Sequence, residues 1–294
     1  MTDALSSLLQ GLAALAAPGV FPIVAAVLGL IVGSFLNTVI HRLPRMLERE
    51  WREQCAELEG RDVAVASRYD LIAPRSHCPT CDTPLGARQL VPVLSWIALR
   101  GQCAACHASI SPRYPLIELG TAMAFAIVAV AFGAGLEVWA AFLVTAFLIA
   151  LAVIDFDTHY LPDQLTLPLL WIGLAASLVG DVRTAVIGAI VGYVSLWAFY
   201  QLFKLITGKE GMGYGDFKLF AALGVWLGPA ALMPILLLAS IAGAAVGLVL
   251  VLFFNRSRQQ PIAFGPFLAA SAWFVMLIGP GAPDSLLIKD WVGF

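Results

Sequence analysis

Apolar residues in this chain come in long unbroken runs rather than in the alternating pattern of half-buried strands. A helix needs about 20 such residues to cross the hydrocarbon of a bilayer. Runs at or near that length lie at 20–41, 115–134, 137–155, 165–180, 182–204, 216–228, 230–254 and 262–281, the sixth being the shortest. A further apolar stretch at 4–17 predicts a helix lying at the outer interface. Within lipid an open sheet would leave backbone polar groups unpaired, so the pattern predicts an all-α polytopic membrane protein of about eight transmembrane helices. Small residues recur along it. Gly188 and Gly192 fall four apart on one face of the fifth run, and Ala242, Gly243, Ala244 and Gly247 sit in the seventh, both suited to close helix packing.

Composition agrees: 60% of the 294 residues are apolar and 12% charged, with a mean hydropathy of +0.88, which a water-soluble chain of this length does not show. A net charge of -2 offers nothing toward nucleic acid as a partner; the partner the composition implies is the lipid bilayer. Residues 1–18 carry Asp3 but no Lys or Arg, unlike a cleaved secretory signal, so the N-terminus is expected to be retained. Ten of the 17 basic residues, from Arg42 to Arg113, fall in one polar insert. Basic loops stay in the cytoplasm. The insert is therefore expected inside with Lys204, Lys209, Lys218, Arg256 and Arg258, leaving Arg183, Lys289 and both termini outside. The chain divides into an N-terminal segment with the first span (1–42), a cytoplasmic insert (43–113) and a seven-helix membrane domain (114–294).

The insert holds Cys78-Pro-Thr-Cys81 and, 21 residues on, Cys103-Ala-Ala-Cys106. Each CxxC turn can present two thiolates to one tetrahedral ion, and two such turns close on it like a clasp. Four thiolates leave no open position, so the expected ion is a structural zinc that helps fold a domain with little apolar core. The halves echo each other, Cys-Pro-Thr-Cys-Asp-Thr-Pro-Leu against Cys-Ala-Ala-Cys-His-Ala-Ser-Ile. His77 and His107 flank the pairs and could replace a ligand, although they read more simply as bystanders, and Cys55 has no partner in the sequence.

Carboxylates at the ends of apolar spans are costly and mark function. Asp155, Asp157 and Asp163 cluster at the end of the third span, and Asp216 ends Gly211-Met-Gly-Tyr-Gly-Asp at the start of the sixth. The topology brings both places to the same side. Two acids in contact share one proton, so that the charged member can activate water while the protonated one donates to a carbonyl, which is what peptide hydrolysis without a covalent intermediate requires. Glycines before Asp216 leave the backbone free to approach an extended substrate. The residues alone do not choose among the three acids of the first cluster; Asp163 after Pro162 also reads as a helix start. They equally allow an ion-coupled transporter or a zinc-dependent assembly scaffold.

Several long motifs in order resemble the bifunctional type IV prepilin peptidase family, GxGD aspartic membrane proteases also called prepilin leader peptidase/N-methyltransferase. They are Gly33-Ser-Phe-Leu-Asn-Thr-Val-Ile-His-Arg-Leu-Pro44, the four cysteines, Arg113-Tyr-Pro-Leu-Ile-Glu118, the Asp155 segment and Gly208-Lys-Glu-Gly-Met-Gly-Tyr-Gly-Asp216. The resemblance implies that Asp155 and Asp216 are the catalytic acids. It implies cleavage of the basic leader from prepilins and pseudopilins of type IV pilus and type II secretion systems, at the cytoplasmic face of the bacterial inner membrane. Methylation of the new N-terminal residue with S-adenosylmethionine then follows. No glycine fingerprint announces a site for that methyl donor; the insert and the first motif, with Asn37, Arg42 and Glu118, are the places to look, although Arg42 could equally anchor a helix end and Glu118 pair with a basic neighbour.

Overall fold

A computed structural model describes residues 17, 19–61, 68–209, 211–253 and 262–278. The expected interfacial helix at 4–17 lies almost wholly outside them, as do Arg256, Arg258 and Lys289. Each of the eight apolar runs contains a helix, and the described residues form no sheet beyond two isolated bridges. The chain forms two compact units, residues 1–134 and 135–294.

In the first unit α1 (Phe21–Leu58) runs on without a break through Pro44, well beyond the end expected near 41. Its second half is polar but made of good helix formers, including an i,i+4 Glu48–Arg52 pair. A short α2 (Leu94–Ala98) lies in the insert, and α3 (Arg113–Phe132) packs along α1. That packing is close because Gly29 and Gly33 lack side chains: a Cβ on Gly29 would stand 2.7 Å from Ala122 Cα, and one on Gly33 2.8 Å from Glu118 Cα.

The second unit contains α4 (Glu137–Thr158), α5 (Asp163–Ser177), α6 (Val182–Thr207), α7 (Tyr214–Leu227), α8 (Pro229–Phe253) and α9 (Gly265–Ile278). Among the described residues five helices, α1, α3, α4, α6 and α8, are long and apolar enough to cross a membrane. At 14 residues α7 is only about 21 Å long, short of the roughly 30 Å hydrocarbon. It is nevertheless buried from Leu219 to Leu227, surrounded by α5, α6, α8 and α9. Its neighbours are protein, so its length need not match the bilayer.

The tightest approach in this unit is α6 against α7. A Cβ built on Gly224 would strike the Gly188 carbonyl, one on Gly188 would strike that of Gly224, and Gly192 faces the Phe220 carbonyl. The Gly188 and Gly192 pair thus packs backbone on backbone, whereas Gly243 and Gly247 of α8 meet only the side chains of Phe267 and Ile262. Gly188→Ala is expected to cost at least about 1–3 kcal/mol by overpacking, seen as a lower thermal midpoint and folded yield on size exclusion.

Candidate active site and metal centre

α4 ends in a way that fixes Asp155. His159 takes a left-handed conformation (φ 54°), and its N–H donates to the Asp155 carbonyl at 2.8 Å. Asp155 is buried, 5% exposed, and its Oδ2 accepts a hydrogen bond from the N–H of Gly265, the first residue of α9, at 2.9 Å. Gly265 is required there by space: a Cβ would lie 2.6 Å from Asp155 Oδ2. Backbone amides at a helix start suit a carboxylate through both their free donors and the helix dipole.

Asp216 occupies the first turn of α7, is 8% exposed, and lies within electrostatic reach of Asp155. Its Oδ1 is buried without a hydrogen-bond partner. The glycines before it work differently from expectation. None of Gly211, Gly213 and Gly215 has a positive φ; Gly215 lets α7 press on the chain before α5, since a Cβ would stand 2.7 Å from Leu161 Cβ, and Gly211 makes room for the Phe203 ring.

The other two acids separate from this pair. Asp163 is the first residue of α5, and both its oxygens accept from Lys218 Nζ at 2.7 Å, tying α5 to α7 two residues past Asp216. Asp157 is exposed. Of the four acids, Asp155 and Asp216 are the buried ones. Gly265 is the participant that sequence reasoning missed; the only trace of it is Gly-Pro at the start of an apolar run, a common helix opening.

In the first unit the sulfurs of Cys78, Cys81, Cys103 and Cys106 all lie within 4.8 Å of one another, with Cys78 and Cys106 at 3.7 Å. Four thiolates around an ion at about 2.3 Å stand roughly 3.8 Å apart, so the set is of the right size and kind to hold zinc. The halves repeat in three dimensions as well. Cys78 N–H donates to the Thr83 carbonyl and Leu85 N–H to that of Ser76; 25 positions later Cys103 does the same to Ala108 and Ile110 to Gly101. Asp82 and His107, the matching residues after each pair, both have positive φ (55° and 58°).

Local donors hold three thiols below the ordinary range: the Thr80 and Cys81 amides for Cys78, the Thr83 hydroxyl and amide for Cys81, the Cys106 and Ala105 amides for Cys103. Cys106 is drawn down by the Ala108 amide but crowded by the Cys81 sulfur and by burial, and is pushed up to about 12. Four sulfurs this close can all ionise only around a cation.

Asn37, Arg42 and Glu118 each have a backbone partner. Asn37 Nδ2 donates to the Tyr114 carbonyl at 3.1 Å. Arg42 donates to those of Asp70 and Pro74 at 2.8 and 2.6 Å, and Glu118 Oε2 accepts from the Val93 N–H at 2.7 Å. Arg42 and Glu118 tie the insert to α1 and α3, Asn37 ties α1 to the first turn of α3, and none is assigned to the methyl donor.

Comparison with known proteins follows the same division. The Bacterial Peptidase A24 N-terminal domain matches residues 27–132, within the first unit, and the Type IV leader peptidase family matches residues 142–248, within the second and including both buried acids. The prepilin leader peptidase/N-methyltransferase of Aeromonas salmonicida (strain A449) is 52% identical over 256 residues, 85% of this chain and 88% of its own length. This chain belongs to the type IV leader peptidase family. Its relatives of the same name in Stutzerimonas stutzeri and Pseudomonas aeruginosa are 48% and 45% identical over 274 and 266 residues. These alignments cover 92% and 89% of this chain and 95% and 92% of theirs. No solved structure matched the chain. Gly265 lies outside the residues matched to the leader peptidase family.

Proposed function

We propose that this chain is a membrane aspartic endopeptidase of the bacterial inner membrane. It cleaves the basic leader from type IV prepilins and type II secretion pseudopilins at the cytoplasmic face, and then methylates the new N-terminal residue. The observation that carries the peptidase reading is the buried pair, Asp155 and Asp216, within electrostatic reach of each other with Asp216 Oδ1 left without a partner. A buried oxygen of that kind invites a water or a substrate group.

The charged acid takes a proton from water as the water attacks the scissile carbonyl, and the protonated acid gives its proton to the carbonyl oxygen; the resulting diol then collapses, returning a hydroxyl proton to the second acid as the C–N bond breaks and the first acid passes its proton to the leaving nitrogen. The Gly265 amide, on Asp155 Oδ2, leaves Oδ1 to face the reaction, while the Lys218–Asp163 pair keeps the first turn of α7 in register. S-adenosylmethionine, when bound, supplies the methyl group. Cys78, Cys81, Cys103 and Cys106 hold a structural zinc that closes the clasp.

The test mixes purified protein with S-adenosylmethionine and a peptide carrying a basic leader, Gly-Phe and an apolar helix; mass spectrometry reads the cut and the added methyl separately. Cleavage after the glycine with one methyl on the product is expected. Intact peptide together with ion flux across protein-loaded vesicles would point to a transporter instead.

For the clasp, Cys78→Ser and Cys103→Ser are each expected to lose bound zinc, from roughly one per chain, and to lower folded yield before altering cleavage per folded molecule. A well-folded, zinc-free variant lacking only methylation would overturn a structural role for the ion.

A further inference from the structure

The polar half of α1 carries arginines whose placement the reaction does not explain. Arg45, Arg49 and Arg52 line an open cleft of about 250 Å³ together with Glu48 and Tyr69. Arg52 pairs with Glu48, and the Arg49 guanidinium lies 4.3 Å from the Tyr69 ring centre. Among the described residues neither Arg45 nor Arg49 has a carboxylate partner. Both are exposed, so the cleft presents two unneutralised guanidiniums backed by an aromatic ring.

Their helical phase gives this meaning. Val27 and Ile31 are 52% and 59% exposed on the apolar half of α1, part of an outward apolar ridge with Ile23 and Phe35, which in a bilayer would face lipid. Arg45 follows Val27, and Arg49 follows Ile31, by about five turns of helix at 3.6 residues each, and α1 is continuous between them. The lipid-facing ridge therefore runs directly into the arginine cleft.

Depth agrees with phase. Counted from Phe21, a hydrocarbon layer of about 30 Å ends near His41, and Arg45 and Arg49 stand roughly 6 and 12 Å beyond it. Helical side chains lean toward the N-terminus, which carries both guanidiniums back toward the bilayer, into the headgroup layer.

We propose that Arg45 and Arg49, with Tyr69 behind them, bind the phosphate of one anionic phospholipid whose acyl chains lie on the Ile23–Phe35 ridge. The planar guanidinium suits a phosphodiester. The three arginines disfavour a cationic ligand such as a sulfonium. Arg42 differs from its neighbours because it is buried and committed to the Asp70 and Pro74 carbonyls.

The test extracts the full chain from bilayers of equal phosphatidylglycerol and phosphatidylcholine and counts retained lipids by native mass spectrometry. One basic side chain is worth about fivefold at an anionic surface. Wild type is thus expected to favour phosphatidylglycerol by about thirtyfold, R45Q or R49Q alone by about fivefold, and R45Q/R49Q not at all. R75Q/R88Q removes the same charge elsewhere in the insert and should retain the wild-type preference. Equal loss in R75Q/R88Q, or an undiminished preference in folded R45Q/R49Q, overturns the proposal. So does displacement of the lipid by millimolar inorganic phosphate or by S-adenosylmethionine, either of which would assign the cleft to a soluble ligand.

Discussion

Asparagine at Asp155 or at Asp216 is expected to abolish cleavage while leaving methylation of a pre-cut peptide with a free N-terminal phenylalanine. Each substitution nearly preserves volume, so the buried α4 and α7 surfaces around the two acids keep their packing. What it removes is one of the two proton-transfer groups, a loss of at least about a hundredfold. Because the acids act on one water and one carbonyl, the double variant should be no slower than either single one. Peptide mass spectrometry with and without S-adenosylmethionine checks both activities. Folded single variants that still cut at the wild-type rate would remove the acids from the mechanism and return them to structure or transport.

Gly265→Val should damage cleavage almost as severely without touching either acid. Its Cβ would sit 2.6 Å from Asp155 Oδ2 and 3.0 Å from Cγ, so the carboxyl must leave its place, and the N–H bond that orients it is lost. A displacement of about 1 Å in a catalytic group costs on the order of a hundredfold. The loss should fall on kcat rather than KM, with methylation of pre-cut peptide unchanged and thermal stability lowered. Gly265→Ala should lie between the two. A Gly265→Val protein with full cleavage would show that the hydrogen bond from α9 does not position Asp155.

Much of the fold was legible because lipid imposes a simple rule on long apolar runs. Each of the eight long runs contains a helix, and Gly188 with Gly192 did mark a close contact. The end of α1 was not legible: a hydropathy reading stops where polar residues begin, but backbone helicity continues wherever side chains do not oppose it. Spacing alone left three acids in the first cluster, and their different burial depends on partners far along the chain. Lys218 neutralises Asp163 across 55 positions, and Gly265 reaches Asp155 across 110. No local pattern encodes contacts of that span. The close packing of Gly215 on Leu161 was hidden for the same reason, since spacing suggested backbone freedom where space was the need.

The 25-position repeat in the cysteine insert bears on how that region assembles. Each jaw, residues 76–85 and 101–110, closes its own main-chain loop through bonds that do not cross to the other. An ion held by the four sulfurs would therefore join two ready-made halves rather than shape either. Metal loss should then resemble an unlatching, with separated but intact jaws whose thiols are open to oxidants, a redox vulnerability that a single interlaced knot would not share.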